Sequence, residues 1–167
     1  MDWIVEGLAL GGWGDTRIHL GLQGTGIEAV LQLYGPEARS ELGPLAKEVL
    51  QLNVLDARPL PPSLLRQGVE FIRSQREQGR PTLAACGAGL SRSPSFLAAY
   101  LYEVGRGEGM DLQGAFATIL QGRRGIIPHP ELLRSLVRYY GLEMTAEELL
   151  VALVREKKRL RESAWTG

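Results

Sequence analysis

The 167-residue chain is long enough for one domain with a full hydrophobic core and too short for two ordinary ones. Its 19 lysines and arginines equal its 19 aspartates and glutamates, so no overall field draws it to nucleic acid or an anionic membrane, and any preference for anions is local. The single cysteine, Cys86, rules out an internal disulfide, and no charged-then-apolar leader or long apolar run opens the chain, so the expected setting is a reducing cytoplasm.

Taken in order, residues 3–5 and 8–10 alternate around Glu6 and Gly7 as an edge hairpin does. Gly11, Gly12 and Gly14 are expected to loosen the backbone, and Asp15 to cap a short segment ending at Leu20, in which Arg17 and His19 read as surface residues. Gly24 and Gly26 turn the chain into residues 29–33, a buried parallel strand ended by Gly35 and Pro36. Residues 37–47 carry a weak helix interrupted by Gly43 and Pro44, and residues 49–54 alternate like another strand. Asp56 follows at that strand's end, on a loop stiffened by Pro61 and Pro62. Ser63 is expected to cap a helix whose Leu64, Leu65, Val69, Phe71 and Ile72 fall on a helical period, with Gly79 as its stop.

Leu83, Ala84 and Ala85 then form a short buried strand that ends at Cys86. A tight loop of Gly87, Ala88, Gly89, Leu90, Ser91, Arg92 and Ser93 leads into a helix marked by Phe96, Leu97, Tyr100, Leu101 and Val104, with Pro94 suited to its first turn. A loop over residues 105–109 follows, then a helix over 111–121 with Asp111 as its cap, stopped by Gly122. Arg123 and Arg124 come next, Arg124 and His129 reading as surface residues. A further helix spans 130–140 before Gly141. Thr145 and Glu148 make a capping box for a last helix with an apolar stripe of Leu149, Leu150, Leu153, Val154 and Leu160 and a basic run over 155–161, packed on the domain or offered to a partner. Strands alternating with helices argue for an α/β fold with a central, largely parallel sheet flanked by helices, its ligands bound at the carboxyl ends of the strands.

The chemistry concentrates between strand and helix. Small residues let the loop curl so that successive N–H groups point inward, and the helix adds its own unpaired N–H groups and positive dipole end, a cup for a phosphate-sized dianion. At its mouth the thiolate of Cys86 is favoured by the helix end and by Arg92, whose fork can hold two phosphoryl oxygens. Ser93 is placed to hydrogen-bond the sulfur. Asp56 is the candidate general acid, against the plainer reading of a turn aspartate; Asp15 and Asp111 are poorer candidates. A structural cysteine beside a glycine-rich turn is the plain reading of the loop.

The run Cys86-Gly-Ala-Gly-Leu-Ser-Arg-Ser resembles the signature loop of the cysteine-dependent protein phosphatases, and its Ser-Arg-Ser-Pro ending is most like the dual-specificity branch. The resemblance covers about residues 3–141, including an opening edge-strand segment, an acid loop at Asp56 and two closing helices. It implies a catalytic domain over 1–141 with a helical extension over 142–167. It also implies a metal-independent phosphomonoester hydrolase without cofactors, acting through a phosphocysteine on Cys86. Arg92 and the N–H groups of residues 87–92 would hold the phosphoryl oxygens, Asp56 would serve as acid and base, and Ser93 would ease thiolate departure. One departure stands out: the family usually has His before the nucleophile, and here the residue is Ala85. A loop with one cation argues against a highly charged inositide and for phosphorylated serine, threonine or tyrosine. RNA 5′-triphosphate or phosphoinositide hydrolysis, a weak phosphate-binding module recognising phosphorylated partners, and sulfur or arsenate chemistry are the alternatives.

Overall fold

Period-two alternation of apolar side chains sorts the strands onto two faces. In the computed structural model, which describes residues 1–16, 21–34 and 46–164, Leu8, Leu10, Leu31, Ala84 and Cys86 enter the main core on one face. Ala9, Val30, Leu83 and Ala85 enter a smaller cluster on the other, with Leu22, Ile27 and Tyr34. The strands are β1 (Asp2–Val5), β2 (Leu8–Gly12), β3 (Ala29–Gln32), β4 (Glu48–Gln51) and β5 (Thr82–Cys86), in the sheet order β1-β2-β5-β3-β4. β1 pairs antiparallel with β2, and all other pairings are parallel. This puts β5 in the middle, covered on both faces, as its unbroken small apolar run demands.

Among the described residues, five helices pack on the main-core face: α1 (Pro62–Glu77), α2 (Arg92–Gly105), α3 (Leu112–Gly122), α4 (Pro130–Tyr140) and α5 (Ala146–Ser163). The fold is thus the expected α/β arrangement. Asp111 caps α3, Gly141 ends α4 with φ 61°, and the Thr145–Glu148 capping box opens α5. Leu149 and Leu153 of α5 are buried in the main core, and at roughly 1.5–3 kcal/mol for each such side chain they fasten the helix to the body.

Several expectations shift. Gly11 and Gly12 do not loosen the chain but belong to buried β2. The strand expected over 49–54 ends at Gln51, where its partner β3 also runs out, although Leu52 and Val54 remain in the core. Ser63 does not cap α1: Pro61 precedes the helix and Pro62, which lacks an N–H, occupies its first turn. The α2 helix runs on through Gly105 into a 3₁₀ turn over Arg106–Glu108, so residues 105–109 are only partly loop. Val154 is 59% exposed, outside the buried stripe of α5. The segment around Arg17, His19 and Leu20, the turn at Gly35 and Pro36 and most of the weak helix over 37–47 lie outside the described residues.

Candidate active site

Cys86 ends the central strand at the carboxyl edge of the parallel sheet, 2% exposed, and the loop from Gly87 to Ser91 carries the chain into α2. The loop lies close against the end of β2. A Cβ on Gly12 would sit 3.0 Å from the Gly87 carbonyl oxygen, and one on Gly89 would sit 2.5 Å from that of Gly11. Gly89 also has φ 67°, a conformation that disfavours any other residue.

What shapes the cup is the fate of its carbonyls. Those of Gly87, Leu90 and Ser91 accept backbone N–H bonds from Trp13 (2.9 Å), Ile127 (2.6 Å) and Ser95 (3.3 Å). The Ala88 carbonyl accepts one from Arg123 Nη2 (3.1 Å). In a trans peptide the C=O and the following N–H point in opposite directions, so pulling these carbonyls outward turns the N–H groups of Ala88, Gly89, Ser91 and Arg92 inward. The concave row of donors expected from small residues is thereby held open by three other parts of the fold: the Trp13 turn, the end of α3 and the segment before α4.

The side chains converge on the same place. Ser93 Oγ is fully buried and donates to Cys86 Sγ at 3.2 Å. Arg92 Nη1 donates to the Val54 carbonyl at 3.0 Å, tying the guanidinium to the segment that leads from β4 to Asp56. Its Nη2 lies 3.1 Å from where a Gly87 Cβ would stand, against the loop floor. Its Nε is buried and has no protein partner among the described residues, an orphaned donor at an anion cup. Asp56 is exposed, and its Oδ1 accepts from Ser91 Oγ (2.9 Å) and from the Ala57 N–H (3.0 Å). Ala57 has φ 56°, among the described residues the one non-glycine with positive φ, and such strain persists only where surrounding contacts over-determine it. All four predicted side chains are therefore linked to one loop: Cys86 to Ser93, Asp56 to Ser91, and Arg92 to the approach to Asp56.

Ser91, His129, Tyr34 and Arg123 make contacts that the sequence does not announce. Ser91 Oγ both donates to Asp56 and accepts the His129 N–H at 3.1 Å, so it joins the acid loop to the start of α4. His129, expected at the surface, is half-buried and caps α4, its Nδ1 accepting from the Glu131 N–H at 3.2 Å. Behind the cup, the Tyr34 hydroxyl bonds Thr16 Oγ1 at 2.8 Å, and Thr16 Oγ1 donates to the carbonyl of Trp13, whose N–H holds Gly87. Burial pushes the Tyr34 phenol up to about 12, so it stays protonated as a neutral prop. Arg123 shows no pattern in sequence because its partner Ala88 is 35 residues away.

The arrangement offers an anion a row of N–H donors, one guanidinium, a buried sulfur beside a hydroxyl, and a carboxyl group on a loop tied to the cup. It resembles known proteins. No curated protein matches the chain. Among solved structures it is similar to human tyrosine phosphatase-like serine/threonine/tyrosine-interacting protein, 26% identical with a TM-score of 0.75, over 84% of this chain and 95% of that one. Human DUSP28 is 22% identical with a TM-score of 0.73, over 84% and 96%. PTPMT1 in complex with PI(5)P shares the fold at 21% identity and a TM-score of 0.66, over 89% and 95%. The model of the dual specificity phosphatase catalytic domain matches residues 22–141, a span that contains Asp56, Cys86, Arg92 and Ser93. The chain belongs to the dual specificity phosphatase catalytic-domain family.

Proposed function

We propose that the protein is a cysteine-dependent, metal-independent phosphomonoester hydrolase, a dual specificity protein phosphatase acting in two steps. The observation that carries this reading is the outward tethering of the loop carbonyls above a buried sulfur, with the orphaned Arg92 Nε beside it. In the first step the Cys86 thiolate attacks phosphorus, the ester P–O bond breaks, and Asp56 in its acid form protonates the leaving oxygen. Arg92 and the N–H groups of residues 87–92 carry the charge on the equatorial oxygens. In the second step water attacks the phosphocysteine and gives its proton to Asp56. The S–P bond then breaks, and the departing thiolate is stabilised by the Ser93 hydroxyl already on Sγ.

The loop brings one cation, Arg92, and an acid on an exposed strained turn, which supports an open site for phosphorylated serine, threonine or tyrosine over a highly charged inositide. Residues 1–141 act as the catalytic domain, the family match ending at 141, and 142–167 is an extension fastened by α5. No helix among the described residues is long and apolar enough to cross a membrane. A thiolate nucleophile calls for a reducing compartment, which supports the cytoplasm.

A second reading is favoured by Ala85, at the position where the resemblance calls for His, and by likeness to a phosphatase-like interacting protein: a catalytically weak module that holds phosphorylated partners in the same cup. Hydrolysis of p-nitrophenyl phosphate in EDTA separates the two. The phosphatase reading expects turnover that Cys86→Ser abolishes. Absence of turnover in folded wild type, together with phosphopeptide binding, establishes the module instead.

A further inference from the structure

Three of the loop carbonyls held outward are held by backbone N–H groups, which come with the fold. The fourth, on Ala88, is held by the Arg123 guanidinium. Arg123 is itself fixed on two sides. Its backbone N–H donates to the Ile119 carbonyl at 2.8 Å at the end of α3, and its Nη1 pairs with Asp2 Oδ2 on β1 at 2.5 Å. Its two Nη atoms are thus engaged away from the cup, and its 21% exposed side chain stands behind the loop.

The peptide it holds is flanked by small residues. Ala88 and Gly89 join in a loop of small residues, and Gly89 lacks the Cβ that would resist rotation of the plane. A flip of the Ala88–Gly89 peptide would put a carbonyl oxygen into the cup where a donor is needed, repelling the phosphoryl group. A cation on the carbonyl opposes that flip. It also draws electron density through the amide, so the Gly89 N–H becomes a stronger donor to an anion.

We propose that Arg123, aimed by Asp2, is a positioning residue that latches the Ala88–Gly89 peptide with the Gly89 N–H facing the phosphoryl group. The proposal rests on the phosphatase reading of the cup. Arg123 touches no substrate; it acts through Gly89, and both ground-state binding of an oxyanion and the transition state depend on it.

The test compares full-length wild type, Arg123→Met, Arg123→Lys and Asp2→Asn, with p-nitrophenyl phosphate turnover, inhibition by inorganic vanadate and thermal melting measured on each. Met and Lys have similar reach and differ in charge. The expected result is a loss of about tenfold in kcat/KM for Arg123→Met, the scale of one charge-assisted hydrogen bond. Vanadate inhibition weakens by a similar factor, and Arg123→Lys recovers most of both. Asp2→Asn is expected to lose about threefold in both, as the aim of the guanidinium loosens. Should Arg123→Met fail to fold, Asp2→Asn, on a 41% exposed side chain, carries the test. Folded variants with wild-type turnover and vanadate inhibition would overturn the latch. So would equal losses in Met and Lys that track a lowered melting temperature, since packing alone would explain them. Wild type that neither turns over nor binds vanadate would overturn the phosphatase reading itself and the latch with it.

Discussion

The start of α2 and the starts of the other helices solve the same problem differently. Every helix begins with N–H groups that the helix cannot satisfy. Three of them fold a side chain back: Asp111 onto Gly114 in α3, His129 onto Glu131 in α4, Thr145 onto Glu148 in α5. In α1, Pro62 in the first turn has no N–H to satisfy. At α2 the preceding residue, Ser91, has the right side chain for a cap and does not use it as one: its hydroxyl goes to Asp56 and receives His129 instead. The helix end over Cys86 is left for something else. At α2 the cap chemistry is redirected to hold Asp56, the proposed acid, and the proposed substrate takes the place of the cap.

The largest test of that contrast is Asp56→Ala. If Ser91 holds the general acid, kcat/KM on a phosphate ester with a poor leaving group, such as phenyl phosphate, should fall by about 10²–10⁴-fold. The loss should be much smaller with p-nitrophenyl phosphate, whose leaving group needs less help. Equal, small effects on both substrates would make Asp56 an ordinary turn residue. Ser91→Ala comes next. It removes the bond that places Asp56, so kcat should fall by about tenfold, while α2, uncapped by Ser91, should not be weakened through its N-terminus. A large stability loss with unchanged kcat would show that Ser91 serves the helix after all.

Thr145→Ala is the opposite case. Loss of a true cap should lower stability by about 1 kcal/mol in denaturant melts and leave kcat/KM alone. The last prediction is silent at neutral pH. Tyr34, propped against Thr16 behind the cup, has its phenol raised by burial to about 12, whereas an unfolded tyrosine ionises near 10. The unfolded chain therefore gives up this proton first. The contribution of Tyr34 to stability is intact below pH about 10 and is lost as pH rises toward about 12. Melting temperatures across that window should fall more steeply in wild type than in Tyr34→Phe, and parallel curves would contradict the assignment.

Much of this was legible before the structure, and for local reasons. The β5 run, Cys86, the small residues after it and Pro94 are contiguous, so strand, loop and helix could be read from one stretch. The caps at Asp111 and Thr145 were legible in the same way, because their partners lie three residues on. Ser63 misled because Pro61 and Pro62 take over the start of α1 ahead of it. Ser91 was legible as a phosphate-binding loop residue but not as the holder of Asp56, and Arg123, Trp13 and Tyr34 were not legible as parts of the site. Their partners are distant in sequence, and only the packing of β1, β2 and α3 around β5 brings them to the loop. Sequence pattern announces groups that act locally, whereas groups that hold others in place are visible only in the fold.

The most direct test of the account is a pre-steady-state measurement of p-nitrophenol release by Asp56→Asn beside Cys86→Ser. With a leaving group that needs no acid, the variant should still form the phosphocysteine, but without a base it should hydrolyse it slowly. The account predicts a burst of p-nitrophenol equal to the enzyme concentration in Asp56→Asn, followed by slow turnover, and neither burst nor turnover in Cys86→Ser. Turnover of Cys86→Ser at the wild-type rate would contradict it, since the sulfur at the floor of the cup would then form no bond to phosphorus.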